Sequence, residues 1–267
     1  MRMVSRVALL SILVMLAMFY YAGATEHARV VNTARARADQ SGYLWDAVAI
    51  YRARHGGPDT LIGERNRMPV YPWLVSWLYE PAMTPDEFFA RVKAWNIRLS
   101  FALLATLALI AARALPPLIA ANFVLVLAFG YFMYKAGYAQ VELLFYFLLF
   151  LTVLACARQL RGDDTRRTLA LAAFGGTLAA LSHLSKAALL PLVGLFLLVC
   201  AARALAPLLR RGTIDRRPAF RLAAIRSAGA LVFLASFLAV LSPYLINSKK
   251  HFGHYFYNVN STFYIWY

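Results

Sequence analysis

The chain has 267 residues, of which 61% are hydrophobic and only 15% charged, with a formal net charge of +16. Soluble domains are about half apolar and one quarter charged, so this composition excludes an ordinary soluble protein. The positive charge does not indicate nucleic-acid binding, because the basic residues lie at the ends of apolar runs, where they set membrane topology. Anionic lipid headgroups are the expected partner.

Runs of about 18 or more apolar residues recur, and each is long enough to cross a hydrocarbon core. They predict an all-α polytopic membrane protein with about seven transmembrane helices, arranged as a single module over residues 1–267. The predicted spans are residues 4–24, 97–115, 118–134, 141–157, 168–184, 187–205 and 222–246. Cys156 and Cys200 lie inside apolar runs and are interpreted as packing residues. Ala22-Gly23-Ala24 is similar to a signal-peptidase site, but a retained first helix is favoured because the run is long for a signal peptide.

The polar stretch between the first two spans, residues 25–96, is predicted to be a large external loop that lies on the membrane. Its aromatic and basic composition favours short amphipathic helices in the interface plane. One is predicted over residues 41–54, ended by Gly56-Gly57-Pro58, and a second over residues 70–79. Thr84-Pro85-Asp86-Glu87 is typical of the start of a third.

The distribution of basic residues predicts the orientation. With the N-terminus in the cytoplasm, arginines fill the short inner segments, above all residues 207–221, whereas the short outer turns hold only Lys135 and Lys186. The long first loop, both outer turns and the C-terminal tail are then expected on the outer face. The predicted location is the bacterial inner membrane, with the first loop in the periplasm.

Two acids are candidates for chemistry. Asp39 closely follows the first span and precedes an amphipathic helix, and its alternatives are a helix N-cap or a solvated loop acid. Glu142 begins the fourth span, where a carboxylate at the edge of hydrocarbon indicates function by default. Its alternatives are an interface residue or an ion pair with Lys135, which lies on the same face if the helix reaches that far.

Cations near the outer face are candidates for binding phosphate. Lys186 lies at a turn between apolar runs, with His183 one helical turn away, and the alternative is a plain interfacial lysine. Arg65 and Arg67 have guanidinium groups that bind phosphate in bidentate fashion, or form a solvated pair. His251 and His254 lie three apart but have no carboxylate nearby, so no metal site is predicted.

Soluble nucleotide chemistry is not indicated, since the sequence contains no P-loop, no Gly-x-Gly-x-x-Gly and no Gly-x-Ser-x-Gly motif.

Three short segments together resemble the GT-C glycosyltransferases, specifically the bacterial relatives of the protein O-mannosyltransferases and the aminoarabinose lipid A transferases. They are an acid leading an amphipathic helix (Asp39 to Tyr51), an Arg-x-Pro-x-Tyr-Pro segment (Arg67 to Pro72), and Tyr138-Ala-Gln-Val-Glu142. Gln40 occupies a place where the family often has a second acid, which argues against a metal at Asp39, and no cofactor is predicted. Members usually continue for several more spans, so the chain is expected to be the seven-span module alone or a truncated product.

The resemblance implies transfer of a sugar from a polyprenyl-phosphate donor to a glycan, lipid or protein acceptor on the outer face. Asp39 would be the general base, and Lys186, Arg67 and His183 would stabilise the leaving phosphate. Glu142, Arg65, Tyr43 and Tyr71 complete the expected substrate contacts.

Two other functions are compatible with the sequence. A lipid or small-molecule transporter would place charges near the membrane midplane and show repeated halves, and neither feature is seen. A non-catalytic membrane scaffold left by truncation is the third reading.

Overall fold

A computed structural model describes residues 2–57, 67–162, 164–209 and 216–257, without the side chains of residues 2–10, 12, 13, 208, 216 and 217. Within these ranges the chain forms helices and turns and contains no strand. The helices are α1 (Arg2–Val30), α2 (Gln40–Arg54), α3 (Val70–Ser76), α4 (Pro85–Ala114), α5 (Pro117–Leu127), α6 (Met133–Lys135), α7 (Glu142–Arg161), α8 (Thr165–Ser185), α9 (Leu190–Leu209) and α10 (Arg216–Phe252). A 3-10 turn, Arg37–Asp39, precedes α2, and a π-helical turn, Ala128–Phe132, joins α5 to α6.

Six helical segments in the described part of the chain are long and apolar enough to cross a membrane, as expected of an integral membrane protein. They are Pro85–Ala114, Pro117–Lys135, Glu142–Arg161, Thr165–Ser185, Leu190–Pro207 and Pro218–Phe252. The predicted all-α membrane class is confirmed, and these segments correspond to the second to seventh predicted spans. The first predicted span lies within α1, but many of its side chains are outside the described set.

Several helices run further than predicted, α4 and α10 most of all. α4 joins the predicted third interfacial helix and the second span into one helix of 30 residues. The predicted helix start at Thr84 is confirmed, and it takes the form of a capping box: Thr84 Oγ1 accepts from Glu87 N at 3.3 Å and Glu87 Oε2 accepts from Thr84 N at 2.7 Å. No Gly or Pro follows Pro85 before Ala114, so nothing interrupts the helix. α10 likewise continues past Ile246 to Phe252, where Gly253 adopts φ +75°.

The described residues form two compact units. The first unit contains α1, α2, α4, α5, α6 and most of α3. There, the Tyr20 hydroxyl on α1 and the Ser100 hydroxyl on α4 lie 2.7 Å apart in a buried hydrogen bond. Close approach of α1 to the turn after α6 requires Gly137, because a Cβ there would lie 2.5 Å from the Ala28 Cβ.

The second unit contains most of α7, all of α8, α9 and α10, and the short segment from Arg67 to Val70. α8 packs against α10 through small residues, which let helix backbones approach closely within a membrane. A Cβ on Gly176 of α8 would lie only 2.2 Å from the Phe233 carbonyl oxygen of α10. The Phe233 ring in turn packs on Phe196 of α9, with centroids 4.7 Å apart. Cys156 and Cys200 are free and buried, as the packing interpretation expects. The single module over residues 1–267 stays a prediction.

We expect Gly176→Ala to destabilise the protein, because the added methyl group would push α8 away from α10. Overpacking of this kind costs about 1–3 kcal/mol. The free energy of unfolding of the purified protein in mixed micelles measures this loss. Gly194→Ala is the matched control, since a Cβ at Gly194 has nothing within 4 Å. Equal stability of the two variants would show that the α8–α10 contact is not tight.

Candidate functional site

Asp39 lies in a strained turn at the start of α2. Ala38 has φ 56° and ψ 47°, and Asp39 has φ 64° and ψ 5°, so two consecutive non-glycine residues are left-handed. Each such residue costs on the order of 1–2 kcal/mol. The Asp39 side chain is exposed and makes no hydrogen bond that caps α2. Asp39 thus occupies the N-cap position of α2, as one alternative expected, but its carboxylate does not cap the helix.

A buried pair of amides holds this turn in place. Asn32 and Gln40 are both 0% exposed. Asn32 Nδ2 donates to Gln40 Oε1 at 2.8 Å, and Gln40 Nε2 donates back to Asn32 Oδ1 at 2.7 Å. Gln40 Nε2 also donates to the Arg37 carbonyl at 2.9 Å, which ties the amide to the turn that carries Asp39.

The same amide pair binds the turn between α6 and α7. Asn32 Nδ2 donates to the Gly137 carbonyl at 2.7 Å, and the Ala139 amide donates to Gln40 Oε1 at 2.8 Å. Gln140 Nε2 donates to the Ala38 carbonyl. The structure thus joins two segments that the sequence singled out separately, the Asp39 turn and the stretch that leads to Glu142.

Tyr43 and Tyr71 lie together in the first unit. Their rings are perpendicular, with centroids 5.3 Å apart. The Tyr71 hydroxyl donates to Asn96 Oδ1 at 3.1 Å, and Asn96 Nδ2 donates to the Tyr138 carbonyl, four residues before Glu142. Burial raises the pKa of the Tyr71 phenol well above its ordinary value, and the negative charges of Tyr43 and Glu142 would raise it further. Tyr71 therefore stays protonated and remains a hydrogen-bond donor.

Glu142 is half-buried at the first position of α7, with its Oε2 atom buried. The helix does not extend back to Lys135, because residues 136–141 form a turn between α6 and α7. Lys135 and Glu142 therefore do not share a helix face, and Lys135 Nζ instead lies 5.3 Å from the Tyr138 ring centroid.

In the second unit, Lys186 and His183 lie at the C-terminal end of α8. Lys186 is exposed in extended backbone just after the helix, with Nζ 5.9 Å from the Phe145 ring centroid. His183 is 3% exposed and lies against the rings of Phe237 and Phe256, with centroids 6.3 and 6.4 Å away. Among the described residues, its Nδ1 atom has no hydrogen-bond partner.

Arg67 belongs to the second unit, like Lys186. The next residue, Met68, is 3% exposed and is part of the core that also includes Leu184 of α8. Arg67 is half-buried, with its Nε atom buried. Arg65 lies outside the described residues.

The amides of Asn32, Asn96 and Gln140 are site residues that sequence reasoning missed. Asn96 and Gln140 each lie directly before a predicted span, which is the one signal that the sequence offers for them, whereas Asn32 lies inside the polar stretch with no such signal. No three His, Cys, Asp or Glu side chains in the described ranges are grouped so that they would hold a metal ion.

We expect Gln40→Leu to destabilise the first unit, because Asn32 and the Ala139 amide would lose their shared acceptor while buried. An unsatisfied buried polar group costs about 1–3 kcal/mol, measurable by thermal unfolding in detergent. Ser41→Ala changes the neighbouring exposed position and should leave stability nearly unchanged. If Gln40→Leu unfolds at the parent temperature, the amide pair does not stabilise the turn.

Comparison with protein families, with curated proteins and with solved structures finds no significant match to this chain.

Proposed function

We propose that the chain is a membrane glycosyltransferase that moves a sugar from a polyprenyl-phosphate donor to an acceptor hydroxyl. The observation that carries the proposal is the Asp39 turn. Its exposed carboxylate lies in strained backbone that the Gln40 amide fixes, and strain of this kind clusters at functional sites. The six spanning helices agree with a substrate that has a lipid tail.

Asp39 is assigned the role of general base. Its carboxylate takes the proton of the acceptor hydroxyl while the acceptor oxygen bonds to C1 of the sugar. The bond between C1 and the phosphate oxygen breaks in the same step, and polyprenyl phosphate leaves with the electron pair. A single displacement inverts the configuration at C1.

Tyr43, Tyr71 and Glu142 are proposed to contact the substrate. The supporting observation is that Tyr71 packs against Tyr43 and bonds Asn96, which in turn bonds the backbone near Glu142. The Tyr71 phenol makes its hydrogen bond inside this cluster, so it orients neighbouring groups and does not exchange protons with a substrate.

Lys186, Arg67 and His183 are proposed to bind the phosphate. Lys186 is an exposed cation at the end of an apolar helix, and Arg67 is held by the buried Met68. Cations that face an anion developing in the transition state stabilise it directly. Arg65 stays a predicted contact outside the described residues.

The protein is proposed to lie in a bacterial inner membrane, with its N-terminus in the cytoplasm and the Asp39 turn on the periplasmic side. The excess of arginine in the segments assigned to the cytoplasm supports this orientation. The acceptor, whether glycan, lipid or protein, would then be reached from the periplasm.

We expect Asp39→Asn to lower transfer by about 10²–10⁴-fold, because the substitution keeps size and hydrogen bonding but removes the basic oxygen. The measurement is release of farnesyl phosphate from a panel of farnesyl-phosphate sugars, followed by mass spectrometry. Asp46→Asn, seven residues on in α2, is the control and should cost far less. Parent-like release by Asp39→Asn would remove Asp39 from the mechanism and direct attention to Glu142.

We expect Lys186→Ala to weaken binding of farnesyl phosphate about tenfold or more, since a hydrogen bond to a charged group contributes about 1.5–3 kcal/mol. Titration calorimetry in a neutral detergent gives the affinity. Lys250→Ala removes one exposed charge from the end of α10 and should leave the affinity unchanged. Unchanged binding by Lys186→Ala would make Lys186 an interface anchor only.

A further inference from the structure

A groove of about 500 Å³ lies in the first unit between α2 and the N-terminal part of α4. Leu44, Val48 and Phe88 form apolar parts of its wall, and Arg35, Arg52 and Trp45 also line it. A volume of several hundred Å³ with apolar walls and a few polar groups is typical of small-molecule sites.

The groove is separate from the Asp39 site. Successive residues of an α-helix are about 100° apart, so Trp45, Val48 and Arg52 lie along one face of α2. At the same spacing, Tyr43 falls on nearly the opposite face, where it meets Tyr71. Asp39 does not line the groove either. A ligand in the groove would therefore not occupy the proposed active site.

The groove carries one net positive charge from its two arginines. Arg35 Nε lies 2.8 Å from Asp86 Oδ1, so that pair is neutral overall. Arg52 makes no ion pair within the described part of the chain. A ligand that matches this groove is apolar along most of its length and carries a single negative charge at one end.

The surroundings indicate that such a ligand comes from the membrane. Trp45 is 74% exposed beside the groove, and Trp73 and Trp77 are also exposed. Tryptophan is enriched at the membrane–water interface, where its ring lies at headgroup level. An apolar groove that opens beside exposed tryptophans is accessible to a lipid chain.

We propose that the groove binds an anionic phospholipid, with the headgroup phosphate at Arg52 and part of one acyl chain along Leu44, Val48 and Phe88. The proposal does not depend on the glycosyltransferase function. In this proposal, the face of α2 that carries Trp45, Val48 and Arg52 recognises a lipid of the surrounding bilayer. The bound lipid fixes this helix on the bilayer surface.

Quenching of Trp45 fluorescence tests the proposal. The purified full chain is placed in nanodiscs that contain equal mole fractions of the unlabelled lipids. Either dibrominated phosphatidylglycerol or dibrominated phosphatidylcholine is then added. The chain has five tryptophans, so the Trp45 signal is taken as the difference between the parent and Trp45→Phe. We expect quenching of Trp45 at about fivefold lower mole fraction of the anionic lipid, since one cation near the surface attracts it by about 1 kcal/mol.

Two variants and one control locate the effect. Arg52→Gln should abolish the preference for the anionic lipid, and Val48→Phe, which fills the groove without changing charge, should reduce quenching by both lipids. Arg54→Gln removes the same charge from another face of α2, where Arg54 stacks on Trp77 at 4.0 Å, and should keep the preference. Size-exclusion profiles and unfolding temperatures establish that each variant is folded.

Several outcomes would overturn the proposal. Equal quenching by both lipids in the parent would mean ordinary contact with the bilayer. Loss of the preference in Arg54→Gln as large as in Arg52→Gln would mean a general surface charge. A further outcome concerns a fatty acid. If brominated stearate quenches Trp45 in the presence of unlabelled phosphatidylglycerol at equal mole fraction, the ligand is a fatty-acid carboxylate instead.

Discussion

The reciprocal hydrogen bonds between the Asn32 and Gln40 side chains are the constraint on which the first unit depends. A buried amide that loses its partner costs more than a typical hydrogen bond contributes. Because both amides also bond the backbone of the turn between α6 and α7, three chain segments are fixed by one pair of side chains. Strain at Ala38 and Asp39 persists because this network determines the backbone around them.

The second unit is held by a different kind of contact. Helices in lipid gain little from the hydrophobic effect against one another, so close packing of small residues and hydrogen bonds hold them together. Gly176 lets α8 meet the backbone of α10, and Ala172, Ala179 and Ala180 are almost fully buried on the same helix. α8 was predicted from a short run rich in small residues, and that composition suits a helix that other helices surround.

The helices were predictable from the sequence because their signals are local. Apolar runs predicted seven spans, of which six correspond to long apolar helices in the described residues, and the helix start at Thr84 was predicted from four consecutive residues. The prediction divided α4 into two helices, although no Gly or Pro lies between Phe88 and Ile97 to interrupt it. The amide network was not predictable, since Gln40 and Ala139 are 99 positions apart and no periodicity relates them. Asp39 was selected from its position, but its left-handed backbone depends on those distant contacts.

The continuity of α4 sets the depth of the polar features that it carries. At about 1.5 Å per residue, a helix of 30 residues is about 45 Å long, whereas the hydrocarbon core is about 30 Å thick. α4 is therefore longer than a hydrocarbon core that it would cross. Phe88, which lines the groove beside α2, and Asn96, at the Tyr71 cluster, are about 12 Å apart along this axis. Any tilt of α4 in the bilayer would move both positions together, because their separation along the helix axis is fixed.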